Sequence, residues 1–243
     1  MDLQKRFYPE SRFGGYTDVD GTVVFYSRVN ALLTQEGLAV DLGCGRGGHR
    51  DDRVRLRREL RVLKGKCKRV IGLDVDPQAS ENPFLDEFRL IEGPDLPLQD
   101  GIADLCVTDS VVEHIQDPGK FFVECHRILK PGGYLCVRTP NLLSYVGLAS
   151  LLVPNRMHAR VLRRVQERRL AEDVFPTVYR CNTRRRLERA LKRASFFEPC
   201  VYTYEAEPSY LSFSPLAYYL GVLHQRHAPK GVRLALFAFA QKT

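Results

Sequence analysis

VDLGCGRGG, residues 40–48, decides the fold of this chain. An apolar run carries a carboxylate, Asp41, and then turns through Gly43, Gly45 and Gly47. Glycine accepts positive φ and lets backbone approach a ligand closely, so three of them straight after a strand lay a floor for a bound molecule. A second strand-like run, RVIGLD at 69–74, also ends in an acid, Asp74. In doubly wound α/β sheets an acid at the tip of the second strand accepts the hydroxyls of a ribose. Together the two runs read as a nucleoside-cofactor site.

Gly43, Gly45 and Gly48 also satisfy the G-x-G-x-x-G spacing of dinucleotide folds, so the glycines alone do not name the nucleoside. Three features favour S-adenosylmethionine over a nicotinamide cofactor: the acid two residues before the first glycine, the long segment ahead of the first strand, and LKPGG at 129–133. A sulfonium amino acid presents an ammonium and no pyrophosphate. A carboxylate beside the turn attracts the former and repels the latter.

Over residues 38–141 the chain resembles the class I S-adenosylmethionine-dependent methyltransferases, in particular the small-molecule (type 11-like) branch related to quinone-pathway and polysaccharide-cluster enzymes. VDLGCGRG looks like the first motif of that family, VIGLDVDP like the second, and IADLCVTDSVVEHIQDPGKFFVECHRILKPGGYLCVRTPN like the long signature around the fourth and fifth strands. The resemblance implies an α/β fold, doubly wound around a mostly parallel seven-stranded sheet (Rossmann-like), with a methyl donor in the crevice above the strand tips. It implies that Gly43, Gly45 and Gly47 meet the methionine part of the donor, Asp41 its amino group and Asp74 its ribose, with Val75 on the adenine face. Asp95, with Leu96 beside it, is the positional candidate for the adenine edge, and Asp95 reads equally as an ordinary turn residue. Asp109, at the tip of the fourth strand, is placed to touch donor or acceptor. His114, in DSVVEH, is either a general base for a hydroxyl acceptor or a histidine that holds a backbone carbonyl.

With 243 residues, 44% of them hydrophobic, the chain suits one domain. Residues 1–36 read as an N-terminal helical cap, 37–141 as the cofactor-binding core, and 142–243 as acceptor-side elements and the final strands. The apolar stretches near 142–153 and 210–223 fall short of the roughly 20 residues of a membrane span, and the polar N-terminus is no leader, so a cytoplasmic protein is expected. Seven cysteines without C-x-x-C spacing point to neither a metal nor a disulfide framework. Apolar spacing predicts a helix over 22–34 and another over 183–194. Strands are expected at 38–42, 69–74, 88–91, 103–108 and 133–139, and later in FFEPCVYTY and LALFAFAQK, with the aromatic insertion 205–231 between the last two.

The formal net charge of +8 bears on the acceptor. Arg50, Arg53, Arg57, Arg61 and Lys64 are expected on one solvated helical face beside a buried Leu56, Leu60, Leu63 stripe. A second basic cluster, Arg156 to Arg169 and Arg180 to Arg193, lies where acceptors are recognised in the resembled family. It suits an anionic acceptor, a phosphorylated or nucleotide sugar or a lipid-linked glycan, and O-methylation of a glycan or related metabolite is the favoured reaction. RNA methylation is an alternative on charge grounds alone, as is an inactive binding protein on the same fold. Tyr16, Phe25, Tyr26, Arg28, Phe175, Tyr179 and Arg180 are candidate pocket residues, and the aromatic residues of the cap read equally as packing. LLSYVGLASLLVP and YLSFSPLAYYLGVL, with arginines nearby, allow peripheral contact with anionic lipid.

Overall fold

Strands β1 (Leu38–Leu42), β2 (Arg69–Asp74), β3 (Glu87–Leu90), β4 (Ala103–Asp109), β5 (Leu129–Pro140), β6 (Phe197–Tyr204) and β7 (Ala235–Gln241) form one sheet in the order β3-β2-β1-β4-β5-β7-β6. They are drawn from a computed structural model that describes residues 3–152 and 176–243. The first five strands run parallel, and β7 lies antiparallel between β5 and β6. After β1 the chain winds outward to β2 and β3, then returns to the other side of β1 as β4. That reversal opens a crevice at the carboxyl ends of β1 and β4, where ligands bind in sheets of this kind.

Alternation along the strands sorts their side chains onto two faces. Val40, Leu42, Ile71, Leu73, Cys106 and Val137 point to a core shared with Phe122, Cys125, Leu187 and Leu191. Ala39, Val70, Leu105, Val107 and Cys136 point the opposite way, onto Phe25, Tyr26 and Val29. The first set of helical residues comes from α4 (Pro118–Ile128) and α6 (Arg184–Arg193), the second from α2 (Gly21–Leu32). Both faces are therefore covered, which explains why the strands read as near-continuous apolar runs. Removing a fully buried ring such as Phe122 costs about 3–5 kcal/mol.

Capping sets where these helices begin. Asp20 accepts from the backbone N–H groups of Thr22 (2.9 Å) and Val23 (3.0 Å) at the start of α2, and Asp117 does the same for Lys120 (3.0 Å) in α4. A short α1 (Leu3–Phe7) precedes them, and α5 (Tyr145–Leu152) follows β5. The insertion between β6 and β7 holds α7 (Pro215–His227), capped by Ser214. Because Pro140 and Tyr204 both pair with Ala235, this insertion leaves and rejoins the sheet at the end where β1, β4 and β5 finish.

Two expectations change. The basic run does not form one helical face, since α3 spans only Arg55–Arg61 and Arg50, Arg53 and Lys64 lie outside it. Asp52 stops the helix from starting earlier: its carboxylate takes the Val54 N–H (2.9 Å) and the Arg57 guanidinium (2.8 and 3.0 Å), and Arg57 also reaches Asp20 (3.2 Å). Of the two readings of Phe25 and Tyr26, packing is the one seen: α2 lays Phe25 against Phe237 and Phe239 on the sheet, and Tyr26 meets Phe25 edge-on. Arg156 to Arg169 and Phe175 lie outside the described residues.

Candidate active site

The turn after β1 is built from backbone. Gly43 N–H donates to the Leu73 carbonyl (2.7 Å), and Gly45 N–H donates to one Asp74 oxygen (2.8 Å) while the other takes the Asp76 N–H (2.9 Å). From the far side the Asn82 amide donates to the carbonyls of Cys44 and Gly45, both at 3.1 Å. Gly43 has φ +73° and a Cβ there would sit 2.3 Å from Val111 Cγ2, so a side chain is excluded on two counts. Gly45, at φ +53°, has no atom within 4 Å of its missing Cβ and faces open space. Val75, just past Asp74, is 57% exposed although apolar.

Asp41, one residue before the end of β1, and Asp109, the last residue of β4, lie on neighbouring strands, and their carboxyls differ. Burial, together with the nearby charges of Asp109 and Asp74, pushes Asp41 up to about 7 against the opposing pull of Arg61. Asp41 has no hydrogen bond or ion pair to its side chain among the described residues. For Asp109 burial acts in the same direction, but the guanidinium of Arg138 outweighs it and holds the carboxyl below the usual range. Arg138 grips Asp109 through Nε (2.6 Å) and a second nitrogen, and Tyr26 Oη donates to it at 3.1 Å. A further nitrogen of Arg138 donates to Thr22 Oγ1 (2.9 Å). Ser110, immediately after Asp109, takes φ +61°, a left-handed conformation that a non-glycine residue holds only when its surroundings enforce it.

His114 follows in a short 3-10 turn, Val112–His114, with Nδ1 3.0 Å from the Pro176 carbonyl. A carbonyl oxygen only accepts, so Nδ1 carries a proton, while Nε2 lies 3.9 Å from Glu113 Oε1. Its neighbour Glu113 accepts the Thr139 hydroxyl (2.8 Å), and Asn182 donates to the same Thr139 oxygen (2.7 Å), which ties segment 176–182 to the tip of β5. Asp95 pairs with Lys120 at 3.0 Å, and Leu96 is buried in the core with its N–H on Glu124 (2.8 Å).

Several groups near the site carry weak signals in the sequence. Arg138 is an arginine inside an apolar strand, YLCVRTP, and such a residue announces a buried partner. His49 stacks on Phe84 (4.5 Å), and burial, reinforced by Arg61, lowers its imidazole to about 4. Its Nε2 and the Nε of Arg61 are buried without a hydrogen-bond partner among the described residues. A cleft of about 470 Å³ lies between α1 and the insertion, lined by Gln4, Arg57, Glu207, Ser209, Ser212 and Tyr218. Burial and the nearby Asp20 push Glu207 in its wall up to about 7, and Glu207 accepts the Thr17 hydroxyl at 2.9 Å.

A parallel sheet with a glycine turn and an acid at its reversal point, closed by an antiparallel seventh strand, defines the class I methyltransferase architecture. Residues 40–137 match the methyltransferase domain family. The chain is 33% identical over 111 residues to a probable S-adenosylmethionine-dependent methyltransferase of Mycolicibacterium smegmatis, an overlap of 44% of this chain and 39% of that protein. It is 33% identical over 116 residues to a ubiquinone biosynthesis O-methyltransferase of Caulobacter vibrioides, covering 44% of this chain and 42% of the relative. The chain thus spans about two fifths of the length of these curated relatives. Among solved structures, a methyltransferase dependent on the same donor from Archaeoglobus fulgidus superposes with a TM-score of 0.57 at 15% identity, over 96% of this chain and 97% of that one.

Proposed function

We propose that the protein moves the methyl group of S-adenosylmethionine to an oxygen of a small or lipid-linked, anionic acceptor, a glycan or related metabolite. One observation carries this reading: a preformed glycine turn stands beside a carboxylate, Asp41, that no side chain bonds among the described residues and that Arg61 reaches only through its charge. The donor's ammonium fits that place, and the open space over Gly45 takes its aminoacyl chain. Asp74 accepts the ribose hydroxyls with the lone pairs that Gly45 and Asp76 leave over, and Val75 offers its exposed face to adenine. Gly47, φ +73°, completes the turn on the methionine side. Asp95 and Leu96 already have structural partners and are assigned no donor contact.

When bound, the donor supplies an electrophilic methyl group on a sulfonium, and the protein's part is to hold an oxygen in line with it and to exclude water. Asp109, locked by Arg138, stays ionised and acts as a positioning group for the β4 tip. His114 Nε2 takes the acceptor's hydroxyl proton in the tautomer that the Pro176 carbonyl selects. The O-methyltransferase named among the relatives supports an oxygen acceptor, and the +8 charge supports an anionic one.

Calorimetry with S-adenosylmethionine and its demethylated product tests the donor half, with native chain and Asp74→Ala compared. The variant is expected to bind at least about tenfold more weakly, the loss of hydrogen bonds to a charged group. An unchanged affinity rejects the ribose assignment. Transfer of label from a labelled donor into cell extract, with native chain and His114→Ala compared, tests the acceptor half.

A further inference from the structure

Helix α7 buries Tyr218, Gly221 and Val222 and leaves its opposite face uncovered. On that face Leu216 is 69% exposed and Leu220 56%, and Tyr219 and Leu223 continue the stripe at helical spacing, with exposed Phe213 just ahead of the helix. The stripe then changes character: Arg226 and His227 occupy the same face one turn on, and Lys230 follows. From residue 208 to the C-terminus there is no Asp or Glu at all. Beside the helix, Phe7 of α1 packs on Tyr219 at 6.1 Å and brings exposed Lys5 and Arg6 to the same edge.

We infer that this face docks on the surface of an anionic lipid bilayer. Leucines and aromatics enter the acyl boundary while flanking cations meet the phosphates, the arrangement of a helix lying in the interface plane. The charge pattern decides among occupants, since an apolar helix face flanked by cations, with no acid in the chain after Glu207, complements a uniformly negative surface. Topology adds direction. The insertion that carries α7 springs from the end of the sheet where β1, β4 and β5 finish, so docking turns the candidate active site toward the membrane. The inference deepens the lipid-linked arm of the proposed function and rests on that reading only for its purpose, not for its binding.

The test is co-sedimentation of the full chain with vesicles of phosphatidylcholine alone and of phosphatidylcholine with about one third phosphatidylglycerol. Native chain is expected to partition onto the anionic vesicles at least about tenfold better, and to be released by high salt. Leu216→Glu with Leu220→Glu should abolish binding, and Arg226→Ala with Lys230→Ala should weaken it by about an order of magnitude. Both pairs are exposed, and far-ultraviolet circular dichroism together with donor calorimetry confirms that each variant is folded. Native chain left in the supernatant with both vesicles overturns the inference, and so does a leucine variant that binds like the native chain. Loss of self-association by the leucine variant, without vesicle binding by either protein, overturns it in favour of a second copy of the chain. Vesicle binding without donor binding upholds the docking surface and sinks the proposed reaction instead.

Discussion

Asp41 and Asp109 lie near the ends of adjacent parallel strands, yet folding treats them in opposite ways. At the tip of β4 the fold provides its own cation, since Arg138 answers Asp109 with two bonds and Tyr26 adds a third. Asp41, on β1, has no such bond; Arg61 acts on it only through its charge, and Asp41 is pushed up to about 7. On the proposed reading, the carboxylate that the protein satisfies is a structural part and the one it leaves unbonded is kept for the donor. The same residue type on adjacent strands is told apart by its partner, not by its burial.

The sharpest way to break the contrast is to remove the partner. Arg138→Met leaves Asp109 buried and unpaired, and urea unfolding should show a loss of about 3–5 kcal/mol. A loss under about 1 kcal/mol means the pair is dispensable, contrary to its assigned role. Next, Gly43→Ala combines a left-handed backbone with overlap on Val111 and should cost about 3 kcal/mol, against about 1 kcal/mol for Gly45→Ala, where only the backbone objects. Equal costs at the two sites would falsify the distinction between a closed and an open glycine.

Asp41→Asn separates binding from stability. Donor affinity should fall by about 10- to 100-fold, the worth of a charge-assisted hydrogen bond, as read by calorimetry. Stability should move the other way. A carboxyl raised above its unfolded value favours the folded state at low pH, and that contribution is lost as pH rises from the ordinary carboxylate range through about 7. The variant should therefore melt higher than the native chain at pH 8, and lose that advantage progressively as pH falls through about 7 to the ordinary carboxylate value of 3.8. The smallest effect is the pH slope of donor binding in the native chain. Affinity should weaken below pH 7 as Asp41 takes a proton, by no more than tenfold per unit, and Asp41→Asn should flatten the curve. A flat native profile between pH 5 and 8 shows that Asp41 does not meet the ammonium.

What can be read without a structure follows the same division. Gly43, Gly45 and Asp74 are legible because backbone geometry at a strand tip demands particular residue types within a few positions of one another. The strands at 38–42 and 69–74 are legible because both faces of the sheet are covered, so their apolar runs are unbroken. Arg138 reaches Asp109 across 29 positions of chain, and no local pattern links them. Basic spacing over 50–64 imitates an amphipathic helix, but the carboxylates of Asp52 and Asp20 draw Arg57 inward and a short helix results. The cleft beside Glu207 joins residues near 4, 57 and 209, which only the folded sheet brings together.

The side chain of Asn82 holds the carbonyls of Cys44 and Gly45 before any ligand arrives. A loop already clamped from behind surrenders little chain freedom when it receives a guest. Capture should then proceed without a slow ordering phase in rapid mixing, and differences in affinity among analogues should reside in how quickly each one escapes.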